Sequence, residues 1–139
     1  MNPLAPLYRL ADKLRFRKHR DIGKFGEDIA HRYLRRHGFT VIARNWRPPQ
    51  GGGEIDLIAW EDETLVFVEV KTRTSNQWSA PEREIDRDKI FAVSRAARDY
   101  VRRSGCDPDH VRADVLAIDT ERTLEFQVRH YRNAFHVSL

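Results

Sequence analysis

The chain of 139 residues has a single cysteine, Cys106. One thiol can form neither an internal disulfide nor a cysteine-based metal centre, so a disulfide scaffold is excluded and a reducing, cytoplasmic compartment is expected. No apolar run approaches the ~18–20 residues of a membrane span, and no apolar stretch near the start leads into a small-residue cleavage site. No membrane partner is expected. The six histidines lack ligand spacing such as H-x-x-x-H, which argues against zinc. A Ser/His/Asp set and a Gly-Lys-Ser phosphate loop are also missing. Lysine is scarce: five, against twenty arginines. Arginine suits bidentate phosphate contacts, although nucleotide bias of a genome gives the same ratio.

The length suits one domain. With 40% hydrophobic and 33% charged residues the composition is that of a globular protein rather than a disordered tail. The net charge of +4 is unevenly spread: residues 1–20 carry +5 and the remainder −1. A basic arm thus precedes a near-neutral domain, and Leu7, Leu10 and Leu14 allow that arm an amphipathic helix. Residues 21–139 are read as one unit.

Ile22, Phe25, Ile29, Tyr33 and Leu34 recur at helical spacing, with Asp21 as the expected N-cap and Gly38 as the stop. Phe39 to Trp46 reads as a strand and Arg47 to Gly53 as a loop. Glu54 to Trp60 and Leu65 to Lys71 form a strand pair around Glu61–Thr64. A second helix, capped by Asp86, carries Ile90, Val93, Ala97, Tyr100 and Val101 and stops at Ser104-Gly105. Val111 to Ile118 and Leu124 to Tyr131 are further strands. The order predicts a mixed α/β domain whose sheet is backed by helices.

The hairpin carries the most information. If Trp60 pairs with Leu65, antiparallel register sets Asp56 opposite Glu69 and Glu54 opposite Lys71, all on one face. Ile55, Leu57, Ala59, Val66, Val68 and Val70 then form an apolar opposite face. Facing carboxylates repel and destabilise a strand pair. A divalent cation would compensate, since Mg²⁺ takes one or two carboxylates and keeps waters and a substrate phosphate in its other positions. Lys71 stands beside the pair, where a cation assists an attacking water or offsets phosphoryl charge. Glu27 is a third acid, at the edge of the first helix's apolar stripe. The loop Gly51–Gly53 lets backbone come close to a ligand. The plainer alternative is a solvated strand face with cross-strand ion pairs.

Gly26-Glu27 with Tyr33-Leu34, G-E-I-D-L-I at Gly53–Ile58, F-V-E-V-K-T-R at Phe67–Arg73, and Lys89 with Ala96-Ala97 and Tyr100 closely resemble the YraN-like family of small bacterial proteins. The likeness runs from about Gly23 to Ile118. That family looks like a branch of the restriction-endonuclease-like PD-(D/E)xK superfamily and is similar to archaeal Holliday junction resolvases. The resemblance implies a three-layer α/β core, with a central mixed sheet of about five strands flanked by helices. It also implies a phosphodiesterase site using Mg²⁺ or Mn²⁺. Carried over by position, Asp56 matches the first acid, Glu69 the second, Lys71 the lysine and Glu27 the acid on the first helix. The Val70 carbonyl would join Asp56 and Glu69 as a metal ligand. Glu54 and Gln77 are accessory candidates, and Ser79-Ala80 stand where a glycine is expected.

A metal-dependent endonuclease on DNA, branched or single-stranded, is therefore the first expectation, with Arg44, Arg47 and Arg73 nearest the site as phosphate contacts. Trp46 and Trp78 are either stacking platforms for bases or core aromatics. A homodimer is expected only by likeness to the resolvases. The rival readings are a non-catalytic nucleic-acid-binding module relying on the basic arm, and a partner-docking subunit on the same fold.

Overall fold

A computed structural model describes residues 19–73, 87–121 and 127–139. The arm up to residue 18, Gln77, Trp78, Ser79, Ala80, Asp86 and Leu124 lie outside those residues. The first helix, α1, spans His19–Arg36. It starts at His19, so Asp21 falls within the helix instead of at its N-cap. Gly38 does end the helix, at φ 86°. Its N–H bonds to the Arg35 carbonyl at 3.4 Å and that of Phe39 to the Leu34 carbonyl at 2.9 Å, the paired closure that a left-handed glycine permits.

Five strands and a second helix follow: β1 (Thr40–Trp46), β2 (Ile55–Glu61), β3 (Thr64–Arg73), α2 (Arg87–Ser104), β4 (Val111–Asp119) and β5 (Val128–Phe135). They form one five-stranded sheet in sequence order. Every neighbouring pair is antiparallel except β3 and β4, which run parallel because the chain crosses over through α2 between them. The sheet is therefore mixed.

Alternation along the strands sends apolar side chains to both faces. Phe25, Ile29 and Leu34 of α1 pack on Leu57, Ala59, Val66, Val68, Leu116 and Ile118. Val93, Ala96, Ala97 and Val101 of α2 pack on Ile58, Leu65, Phe67 and Ala113. The outcome is the helix–sheet–helix sandwich of three layers. Fully burying a large aliphatic or aromatic side chain contributes about 1.5–3 kcal/mol, so these two clusters dominate the stability. Among the described residues no helix is long and apolar enough to cross a membrane.

The hairpin register is the expected one, with Trp60 opposite Leu65 and Leu57 opposite Val68. Two details differ. Ile55 joins the cluster under α2 rather than that of Leu57. The β2–β3 ladder ends at Leu57, and before it Gly53 lies so close to the Ala92 carbonyl of α2 that no Cβ would fit. The last strand lies further along than the expected Leu124–Tyr131, ending at Phe135. It is an edge strand whose charged outer side chains hide the alternation, and it has a register shift beside Asn133, at φ 51°.

Candidate active site

Glu69 of β3 is buried, at 4% exposure. Asp56 stands beside it at the start of β2. The Asp56 Oδ2 accepts the Val70 N–H at 2.8 Å. A side-chain oxygen thus takes a main-chain donor just where the β2–β3 ladder stops, and this fixes the carboxylate against β3. Two ammonium groups converge on Glu69 Oε1: Lys71 Nζ at 3.6 Å and Lys89 Nζ at 3.3 Å. The other oxygen, Oε2, is buried and has no hydrogen-bond partner. With both acids ionised no donor reaches it; with one protonated, the two carboxyls can share the proton.

Burial first, then the charge on Asp56, pushes the Glu69 carboxyl up to about 7, against the lowering pull of Lys89 and Lys71. Burial pulls Lys89 down, but attraction to Glu69 and Asp56 outweighs it and holds the ammonium above its usual range. A consequence can be measured. A glutamate that titrates near 4.5 when unfolded and about 7 when folded binds a proton in the native state that the unfolded chain has already released. Stability therefore falls as pH rises from about 4.5, and the loss is complete above about 7. Denaturant melts of the metal-free protein should show that slope. Glu69→Gln should lack it and be the more stable protein at pH 8.

Glu27 lies on α1 at the near side of this pair. Asn45 Nδ2 donates to its Oε2 at 3.0 Å, and Arg44 stands at 3.8 Å. Asn45 has φ 49°, three residues after a register shift begins in β1, and this irregular backbone brings its amide to α1. Burial raises the Glu27 pKa most, the Asn45 hydrogen bond lowers it, and Asp56, then Glu54, raise it. Glu27, Glu54, Asp56 and Glu69 thus form one electrostatic group. Glu54 is tied to Arg47 at 3.3 Å.

The remaining candidates are placed as follows. Arg44 bonds Asp28 at 2.7 Å, Arg47 is largely exposed, and Arg73 donates to the Thr72 carbonyl at 2.9 Å. Gln77 is not among the described residues. Trp46 is a core aromatic, edge-on to Tyr100 at 5.3 Å. The glycine loop packs against α2 instead of standing open: a Cβ at Gly52 would meet the Arg95 guanidinium, and one at Gly53 the α2 backbone. Such packing needs glycine as much as a ligand would.

Lys89, quoted above for the family resemblance but given no part in the site, stands within it. It stands four residues before Val93 and seven before Ala96, on the apolar stripe of α2. A lysine on a buried stripe calls for an anionic partner, and that was the available signal.

Among the described residues no three His, Cys, Asp or Glu side chains converge as a ready-made metal set. The pair Asp56 and Glu69 nevertheless fits a hard divalent cation. It offers an orphaned buried carboxylate oxygen next to a second carboxylate, which is the number Mg²⁺ ordinarily takes from protein.

Comparison with known proteins finds relatives over most of the chain. A family model described as "Uncharacterised protein family UPF0102" matches residues 26–118, a span that holds Glu27, Asp56, Glu69, Lys71 and Lys89. A UPF0102 protein of Solibacter usitatus is 50% identical over 113 residues, covering 81% of this chain and 86% of its own. The UPF0102 protein FP2501 of Flavobacterium psychrophilum is 36% identical over 119 residues, 86% of this chain and 97% of its own. One from Bacteroides thetaiotaomicron is 37% identical over 122 residues, 88% and 98%. With both the family model and near full-length relatives in agreement, the chain belongs to the UPF0102 family.

Proposed function

We propose that this protein is a Mg²⁺- or Mn²⁺-dependent endonuclease of the PD-(D/E)xK type that hydrolyses phosphodiesters in DNA, branched or single-stranded. The observation that carries the reading is the buried Glu69, with one oxygen unpartnered and a second carboxylate, Asp56, against it. Such a pair is costly unless a cation compensates it, and strained polar arrangements gather at functional sites.

Asp56 and Glu69, with the Val70 carbonyl, would hold the cation. A bound divalent ion lowers the pKa of water and neutralises charge on a phosphoryl oxygen. Lys71, beside Glu69, orients the attacking water and stabilises negative charge as it develops. Glu27, with its raised pKa and its hold on Asn45, positions water at the α1 side. In the reaction the attacking water gives up a proton to solvent as its oxygen bonds to phosphorus, the ester P–O bond breaks, and the leaving alkoxide takes a proton from solvent water. Arg44, Arg47 and Arg73 are the proposed contacts to substrate phosphates.

Clean protein should cleave at least one member of a panel of duplexes, flaps and four-way junctions when Mg²⁺ or Mn²⁺ is added. Lys71→Met should retain cation binding but cleave at least ~100-fold more slowly, the size expected for losing one preorganised charge at the reacting group. No cleavage of any substrate with either metal would sink the proposal. The +5 charge on residues 1–20 favours a second reading, a non-catalytic module that holds nucleic acid.

A further inference from the structure

A second cationic feature lies next to the carboxylates but outside the catalytic set. On α1, Asp28, His31, Arg32 and Arg35 recur at spacings of three and four, and so share one helix face. Across from them stands Arg44 of β1. These five side chains line a cleft of about 250 Å³ between the helix and the sheet edge. Arg32 and Arg35 are exposed. The cleft gathers three guanidinium groups and one carboxylate, and that carboxylate, Asp28, is held by Arg44 at 2.7 Å. Convergence of the positive charge is visible at His31: burial first, then Arg44 and Arg35, push its pKa below the usual histidine range. Like charges crowded in a concave space are relieved by an anion of matching shape, and guanidinium groups match the phosphate fork.

The cleft is continuous with the carboxylate site through Arg44, which stands 3.8 Å from Glu27. Arg44 thereby links the cleft to Glu27, whose pKa responds to the charge on Asp56. We infer that the α1–β1 cleft is a phosphate-binding subsite, in which Arg32, Arg35 and Arg44 hold a backbone phosphate of the nucleic-acid strand adjoining the scissile one. This rests on the nuclease reading for its choice of occupant. It makes α1 the track along which substrate enters, and it supplies affinity from the folded domain as distinct from the basic arm.

The test is fluorescence anisotropy of the full chain with labelled single-stranded and duplex DNA oligonucleotides, without divalent metal, across a salt series. Arg32→Gln/Arg35→Gln is compared with Arg98→Gln/Arg102→Gln, which removes the same charge from exposed positions of α2 on the opposite face of the sheet. The α1 double variant should bind about tenfold more weakly and lose about 1–2 units from the slope of log affinity against log salt, whereas the α2 control should stay near wild type. Equal losses in both variants would overturn the subsite and leave the nuclease proposal standing. Failure of the wild type to bind either oligonucleotide at low salt would overturn the subsite, while the nuclease proposal is decided separately by the cleavage panel with Mg²⁺ or Mn²⁺. Thermal protection by inorganic phosphate that the α1 variant alone loses, with no effect on oligonucleotide affinity, would make this a small-anion site and overturn the nucleic-acid occupant.

Discussion

Asp56→Asn is expected to abolish divalent cation binding and cleavage while making the metal-free protein more stable. The substituted amide keeps an oxygen that can accept the Val70 N–H, so the start of β2 stays anchored. What disappears is the charge. Glu69 loses the second largest cause of its raised pKa, and the strain of two opposed carboxylates goes with it. A gain of about 1 kcal/mol corresponds to a melting temperature higher by about 4 °C at neutral pH for a chain of this size. Cation affinity should fall at least ~100-fold, since altering groups one layer outside a metal's ligands already costs 10–100-fold. Calorimetric titration with Mn²⁺ and thermal melts of the same preparation check the two halves together. Destabilisation by this substitution would mean that Asp56 is there to hold the hairpin and not to bind a ligand.

The second large effect belongs to a residue with no part in the chemistry. Asp114 on β4 is fully buried and held from three sides: by Arg112 Nε at 2.8 Å, His130 Nε2 at 2.7 Å and the Asn133 N–H at 2.9 Å. Arg112 also reaches Glu61 at 2.9 Å, and Arg132 joins Glu61 at 2.6 Å, so one network ties β2, β4 and β5 together. Burial alone would raise the Asp114 pKa, but the hydrogen bonds from His130, Arg112 and Asn133 prevail and hold it at about 2. With an unfolded value near 3.8, this group contributes stability that is fully present above about 4 and is lost as pH falls through about 2. Asp114→Ala leaves Arg112 and His130 facing an empty position. Removing one partner from a buried charge network costs about 3–5 kcal/mol, which here means a melting temperature lower by about 12–20 °C. Below that temperature the variant should bind cation as the wild type does, which separates this network from the candidate site.

The elements legible in the sequence were those where one local rule decides. The β2–β3 register from Leu57 to Glu61 follows from strict alternation across a short turn; Asp56 lies just beyond that ladder and is held beside Glu69 by its bond to the Val70 N–H. Gly38 ends α1 because its left-handed backbone favours glycine. The rest depends on tertiary packing. Ile55 leaves its expected face because the ladder to β3 has already stopped and Gly53 draws the chain onto α2. β5 extends to Phe135 because β4 supplies its pairing despite outer positions that read as polar. Lys89 lies 18 residues beyond Lys71 in sequence, and only the crossover through α2 brings both ammonium groups to the same oxygen of Glu69. Neither residue number nor strand alternation announces that meeting.

The central claim is that Asp56 and Glu69 form a cation site, and isothermal titration of the wild type with Mn²⁺ tests it most directly. Binding should be measurable at neutral pH, weaken as pH falls below about 7, and release protons, because Glu69 must ionise to take the metal. It should vanish in Asp56→Ala and Glu69→Ala at matched folding. A wild-type protein that takes up no Mn²⁺ or Mg²⁺, even with nucleic acid present, would contradict the claim.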